Sequence, residues 1–300
     1  MKKENWNESN IPDQSGKIFI VTGPTSGLGK ESVKVLVRKN ATVIMAARNI
    51  NKAESVANEI LEENKNAKID IEELDLSSLE SVKNFSQLII KKYKSLDCLI
   101  NNAGIMACPY SKTQDGFEIQ MGTNHLGHFA LTGQLISLLK KTPNSRVVNV
   151  SSIAHTSGNI DFDDLNWEKR KYRTWSAYSD TKLANLYFTY ELSRKLEDDK
   201  GHPIILASHP GWTATELQRY SGVANFMNIF LGQKVNIGAL GGLRAATDLT
   251  AKSNDYFGSP SMGGMKGYPV LVKSNELSYN IDNAKKLWKL SEELTGVSYD

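Results

Sequence analysis

Short buried runs that alternate with helical stretches predict an α/β fold: a doubly wound parallel sheet of about seven strands with helices on both faces. Three observations carry that prediction. A β-branched apolar run, Lys17 to Thr22, stops abruptly at a glycine-rich loop. A stretch with apolar positions at helical spacing, Lys30 to Lys39, leads into a second buried run, Thr42 to Ala47. The same strand-helix unit then repeats down the chain.

In order, helical patterns are expected over Lys52 to Glu63, Leu79 to Tyr93, Gly122 to Leu139, Ser176 to Leu196 and Gly238 to Leu249. Strands are expected near Ile69 to Leu74 and over Cys98 to Asn101, Arg146 to Val150, Ile204 to Ser208 and Tyr268 to Val272. The whole chain, 1–300, reads as a single domain. Residues 1–14 form a polar N-terminal extension, and 216–265 form a substrate-loop region inside the domain. Within it, the stretch 217–233 carries Phe226, Met227, Ile229 and Phe230 and reads equally as a substrate lid or as a core-packed helix pair.

Composition narrows the function. With 40% hydrophobic residues in 300, the chain can bury an extended core, and its net charge of +3 comes from intermixed acids and bases. Nucleic acid is therefore not an expected partner. Cys98 and Cys108 form no CxxC pair and read as reduced thiols. His125, His128 and His155 have no carboxylate at ligand spacing, so no metal site is expected. Met1 to Pro12 lacks the apolar core of a secretory signal, and no run reaches the ~18 apolar residues of a membrane span; a cytoplasmic location follows as the expectation.

The loop Thr22 to Gly29 reads Thr-Gly-Pro-Thr-Ser-Gly-Leu-Gly between a strand and a helix. Gly23 permits the tight turn, Gly27 lets backbone approach a pyrophosphate, and Gly29 allows the helix to pack on the strand. Thr25, Ser26 and Leu28 complete a loop whose amides, at a helix N-terminus, suit a phosphate. This is the entry of a Rossmann-type nucleotide fold. A methyltransferase with a related sheet is still open at this point.

At the end of the second strand stands Arg48, where an NAD site would place an acid for the ribose 2′-hydroxyl. A guanidinium there pairs with a 2′-phosphate, so NADP(H) is expected to be preferred over NAD(H); Ser26 occupies the place where a second basic residue would strengthen that preference. Asp75, with Leu76 beside it, can accept the adenine amino group or cap the next helix. Asn102, Ala103 and Gly104 end the fourth strand at the carboxyl edge of the sheet. There Asn102 can touch the ribose or tie neighbouring strands.

Tyr178 and Lys182 lie four residues apart, on one face of a helix. With 11 tyrosines such a pair is weak evidence alone. Its company raises its value, because Val148 to Ser152 ends a strand at the same sheet edge. Hydride addition to a carbonyl needs a proton donor for the nascent alkoxide. A phenol titrates near ~10, and an adjacent ammonium is expected to lower that value. Ser152 would polarise the substrate oxygen.

These residues, Thr22 to Gly29, Asn101 to Gly104, Asn124, Ser152 with Tyr178 and Lys182, and Pro210-Gly211 followed by Thr215, together resemble the short-chain dehydrogenase/reductase family. The resemblance implies that Asn124 kinks its helix and holds a water relaying protons through Lys182. It implies that Pro210, Gly211, Thr213 and Thr215 border the nicotinamide, and that Ser152 rather than Ser151 is the catalytic hydroxyl. The stretches Val148 to Ser152, Gly122 to Phe129 and Ala284 to Val297 are most similar to the retinol-dehydrogenase-like branch, which implies a lipophilic aldehyde, ketone or alcohol as substrate.

Protochlorophyllide reductases share the same Tyr and Lys, so a pigment reductase is one alternative. A cofactor-binding regulator is another, disfavoured by the survival of Ser152, Tyr178 and Lys182. An epimerase would carry a TGxxGxxG loop instead. The helices Gly122 to Leu139 and Ser176 to Leu196 could form the face of a homodimer or homotetramer, or spend their apolar stripes on the sheet.

Overall fold

The computed structural model describes residues 5–197, 203–213 and 232–299. Eight strands form one sheet in the order β3-β2-β1-β4-β5-β6-β7-β8. They are β1 (Ile18–Thr22), β2 (Thr42–Ala47), β3 (Lys68–Glu73), β4 (Cys98–Asn101), β5 (Arg146–Val150), β6 (Ile204–Ser208), β7 (Tyr256–Gly258) and β8 (Val270–Leu271). All neighbours run parallel except β7 and β8. The strand order reverses between β1 and β4, the switch point at which doubly wound sheets open a crevice at their carboxyl edge.

The expected seven strands become eight because Tyr256–Gly258 forms a strand too short, and too interrupted by glycine, to show periodicity. The run expected over Tyr268 to Val272 contracts to the antiparallel edge Val270–Leu271.

Helices α1 (Gly27–Arg38), α2 (Ile50–Glu63), α3 (Leu79–Lys92), α4 (Ile119–Met121), α5 (Gly127–Lys141), α6 (Thr174–Lys195), α7 (Val235–Thr247) and α8 (Ile281–Thr295) accompany the sheet. One apolar layer joins β1, β2, α1, α2 and α7, including Phe19, Val21, Val43, Met45, Leu36 and Leu243. The layer on the other face joins the alternate strand residues Ile20, Ile44, Leu99 and Val147 to α3 and α5, and ends in the aromatic group Phe129, Phe188, Trp288 and Tyr299. The period-2 alternation of β1 thus feeds both layers, as expected of a strand covered on both faces.

The N-terminal extension is docked on the sheet layers. Ile11 is buried, Trp6 packs on the first layer, and Arg38 donates two hydrogen bonds to Glu8, at 2.9 and 3.0 Å. Helix α6 is enclosed along Ala177 to Ser193, with α8 lying against it through Leu183, Ala184, Tyr187, Ala284 and Leu287. Its apolar stripe is spent inside the chain. The stretch 214–231, which holds Thr215 and nearly all of the expected lid, lies outside the described residues. Of the region 216–265, α7 and β7 belong to the helix layer and the sheet. Among the described residues no helix is long and apolar enough to cross a membrane, and no cluster of His, Cys, Asp or Glu has the arrangement of a metal site. Both cysteines are buried thiols.

Candidate active site

Two cavities open at the carboxyl edge of the sheet. The smaller, about 400 Å³, is walled by Gly23 to Gly29, Ala46 to Asn49, Lys52, Leu74 to Leu76, Asn102 to Met106 and Thr123. The larger, about 830 Å³, adjoins it at Leu28 and Met106 and holds Ser152, Tyr178, Pro210, Gly211 and Thr213 in its wall.

The glycines of the first loop are required by its geometry. Gly23 and Gly27 take positive φ, +64° and +50°, where a side chain would be strained. A Cβ on Gly29 would lie 2.1 Å from the Gly23 carbonyl oxygen and 2.7 Å from Asn102 Nδ2. The start of α1 is thereby pressed against β1, and its first amides border the smaller cavity.

Asn102 acts as a tie. Its Nδ2 donates to the Thr22 carbonyl at 2.7 Å, while the Asn102 and Ala103 amides both donate to Thr22 Oγ1 at 2.9 Å. Because that oxygen accepts twice, its own proton goes to His128 Nε2 at 2.9 Å, and His128 Nδ1–H donates to the Asn124 carbonyl at 3.0 Å. Burial pushes the His128 pKa down to about 4, which keeps the ring neutral in this role.

Asn124 sits in a π-helical turn, Gly122–Leu126, between α4 and α5. Its side chain clamps the loop after β4, accepting from the Ile105 amide at 2.8 Å and donating to the Ile105 carbonyl at 2.9 Å; it also donates to Thr181 at 3.1 Å. The helix is therefore interrupted at Asn124, and the carbonyl meets the His128 ring.

Serines 151 and 152 face opposite ways, as neighbours at a strand end must. Ser151 turns inward and its hydroxyl donates to the Lys182 carbonyl at 2.8 Å. Ser152 lines the larger cavity together with Tyr178 and accepts from the Ala154 amide at 3.2 Å. Lys182 is buried behind Tyr178: its Nζ lies 5.5 Å from the phenol ring centre and donates to the Val150 carbonyl at 3.1 Å.

Burial dominates the titration of this pair. The Tyr178 phenol is pushed up to about 12 by burial, partly offset by Ser152, and the Lys182 ammonium is pushed down to about 8 by burial. The expected lowering of the tyrosine by its lysine is not what the site shows: burial raises the phenol, and Ser152 is the group that offsets it.

Asp75 lines the smaller cavity with Oδ1 engaged by Ser77, from the amide at 2.9 Å and the hydroxyl at 2.7 Å; the cap of α3 is Ser78 instead. Leu76 lies beside it in the wall, and Arg48 stands exposed at the cavity rim. Pro210 offers its carbonyl to Thr213 at 2.7 Å and to Gln233 at 2.5 Å. Gly211, at φ +66°, has no room for a Cβ, which would lie 2.4 Å from the Met265 carbonyl oxygen.

The residues expected from sequence thus converge on the two adjoining cavities or on their backing, apart from Thr215. Three wall residues escaped sequence reading. Lys52, on the first turn of α2, shares the rim with Arg48, and its only signal was a spacing of four residues. Thr123 has a buried hydroxyl with no partner among the described residues, next to Asn124 in the sequence. His209 immediately precedes Pro210 in the larger cavity.

Comparison with known proteins agrees with this architecture. A family model described as short chain dehydrogenase matches residues 17–224. The chain belongs to the short-chain dehydrogenase family. Within it, the relatives place the chain in the retinol-dehydrogenase-like branch. It is 46% identical to retinol dehydrogenase 13 of Homo sapiens over 219 residues, 72% of this chain and 66% of that protein. To retinol dehydrogenase 12 of Mus musculus it is 40% identical over 290 residues, 95% of this chain and 88% of that one. The match therefore spans only about two thirds of the human relative's length.

Among solved structures, an uncharacterised protein from Mycobacterium paratuberculosis superposes on this short-chain dehydrogenase with a TM-score of 0.84 at 38% identity, covering 99% of this chain and 100% of that one. A short chain dehydrogenase from Shigella flexneri, in complex with NADP, matches with a TM-score of 0.58 at 25% identity, over 81% of this chain and 95% of that one.

Proposed function

We propose that this short-chain dehydrogenase is an NADP(H)-preferring oxidoreductase that moves a hydride between the nicotinamide and a lipophilic aldehyde, ketone or alcohol, with Tyr178 as general acid/base. The observation that carries this reading is Tyr178, which shares the wall of the larger cavity with Ser152 and is backed by the buried Lys182. The fit of a dinucleotide rests on the cradle of Gly23, Gly27 and Gly29, where no Cβ can enter at Gly29, and on the length of cavity running from Arg48 to Tyr178. When bound, the dinucleotide supplies or takes up the hydride.

The chain's own residues handle the proton. As a phenol held near 12, Tyr178 is protonated at neutral pH and can donate to an alkoxide; in the opposite direction it must first lose that proton. Ser152 is placed to hold the reacting oxygen, and Lys182, still mostly charged at pH 7, stabilises phenolate as it forms. Asn124 is a positioning residue that fixes the Ile105 loop between the cavities. The amides of Thr25, Ser26 and Leu28 favour phosphate, while Asp75, Leu76, Asn102, Ala103 and Gly104 enclose the adenosine end. Arg48 and Lys52, two cations on one rim, favour a 2′-phosphate. Met106, Ile153, Trp175 and Trp212 favour an apolar substrate, in keeping with the retinol dehydrogenases among the relatives.

The test is NADPH oxidation followed by absorbance against lipophilic aldehydes and ketones, in the wild type and in Tyr178→Phe. Turnover that falls by about 100-fold or more with unchanged NADPH affinity supports the assignment. Tight NADPH binding with no turnover on any carbonyl would favour the regulatory reading instead, and near-normal turnover in Tyr178→Phe would remove the acid/base role.

A further inference from the structure

Two imidazoles besides those of the π-turn region line the larger cavity, and their backbone partners fix opposite tautomers. The Asn275 amide donates to His155 Nε2 at 3.2 Å, so His155 carries its proton on Nδ1 and donates it to the Ser152 carbonyl at 2.6 Å. Both nitrogens of His155 are spent on the protein. In His209 the Gly211 amide donates to Nδ1 at 3.2 Å, which puts the proton of the neutral ring on Nε2.

No group among the described residues accepts from that Nε2–H. Burial, with His155 nearby, pushes the His209 pKa down to about 4, so the ring is a neutral donor at ordinary pH. The fold makes room for the ring: a Cβ on Gly258 would lie 1.8 Å from Nε2, and Tyr256 supports the ring face with its centre 5.2 Å away. The result is an oriented N–H that no protein group among the described residues meets, in a cavity wall otherwise rich in apolar groups. A substrate acceptor that meets this donor inside the apolar cavity gains a hydrogen bond that an all-carbon chain cannot make.

We propose that His209 is a specificity-determining residue whose Nε2–H binds a second oxygen of the substrate, so that the cavity selects lipophilic carbonyl compounds bearing a hydroxyl, ether or keto oxygen away from the reacting carbonyl. This rests on the reading of the larger cavity as the substrate site, but its test needs no turnover. Protein loaded with oxidised NADP is titrated with decan-2-one and with a series of hydroxydecan-2-ones that differ in hydroxyl position, following the fluorescence of Trp175 and Trp212 in the cavity wall.

The expected result is one positional isomer that binds about tenfold or more tighter than decan-2-one. That gain is lost in His209→Phe, which keeps a ring without the donor, and returns in part in His209→Gln. Thermal unfolding and NADP affinity of each variant separate a folding defect from a lost contact. No gain for any isomer, or a gain that survives in His209→Phe, overturns the proposal. Weakened NADP binding in His209→Phe with the isomer preference intact also overturns it, assigning the donor to the cofactor. Failure of hydride transfer with every ketone would count against the oxidoreductase reading, while the binding ratios would still decide the role of His209.

Discussion

Lys182→Met is expected to make the protein more stable and less active, and the size of the first effect follows from burial. In the folded chain the ammonium titrates near 8 rather than its ordinary 10.5, and burial is the cause. At 1.36 kcal/mol per pKa unit, holding the charge in this place costs about 3 kcal/mol at pH 7. The substitution removes that cost but also the donor to the Val150 carbonyl, worth about 1 kcal/mol. Asn185 Nδ2 still donates to the same carbonyl at 3.1 Å, so the oxygen is not orphaned.

The expected net gain is about 2 kcal/mol at pH 7. Between pH 8 and 10.5 the unfolded lysine keeps a proton that the folded one has released, so wild-type stability should rise across that window, and the cost is fully present below pH 8. Lys182→Met should lack the rise. Urea unfolding of both proteins at several pH values from 6 to 11 measures it directly. A variant less stable than wild type at pH 7, or the same rise in both proteins, would refute the reasoning. In turnover, carbonyl reduction by the wild type should decline above about pH 8, as the positive charge behind Tyr178 is lost.

Three further outcomes follow from the same geometry. Arg48→Ala should weaken NADPH binding about tenfold while changing NADH affinity little, and isothermal titration with both cofactors checks it; equal losses would remove the 2′-phosphate assignment. Gly29→Ala should force the start of α1 away from Gly23 and Asn102, with a loss of about 1–3 kcal/mol in chemical unfolding together with weakened cofactor binding; retention of both would mean that the loop yields. His128→Ala should leave the Thr22 hydroxyl and the Asn124 carbonyl without their shared partner, destabilising the fold by about 2 kcal/mol or more, and His128→Gln should recover part of that in thermal unfolding.

Much of the fold was legible because burial imposes period. Ile18 to Thr22 is flanked by residues that cannot continue it, and Thr42 to Ala47 and Arg146 to Val150 are covered on both sides, so each reads as an apolar run. Tyr256–Gly258 does not, because three residues carry no period and a glycine ends them to make room for His209. The helix Ile281–Thr295 shows an amphipathic face in Ala284, Leu287 and Trp288 and a cap at Asn280, yet it lies after the last unit of the alternating pattern and was valued only for its resemblance.

At the site, residues grouped in one loop or one helical turn could be read together: Gly23 to Gly29, and Tyr178 with Lys182. Groups that meet only through topology could not. His209 and Tyr256 belong to neighbouring strands' ends, and whether Ser151 or Ser152 faces the cavity depends on the turn of one strand end against α6. The titration of Tyr178 was misjudged for a related reason, since the depth of burial is a property of the assembled layers rather than of spacing.

Helix α8 and the Tyr299 segment behind it bear on where the enzyme's working unit ends. The family match closes at residue 224, yet the back of the helix that presents Tyr178 and Lys182 is walled by Ala284, Leu287 and Trp288, and the Tyr299 hydroxyl fastens the Phe129 carbonyl at 2.6 Å. Cutting the chain at the homology border would therefore strip the wall from the back of the helix that carries Tyr178 and Lys182. In this protein the tail is to that helix what a mould is to a casting: it holds the helix through Leu183, Ala184, Tyr187 and Phe188, none of which lines either cavity.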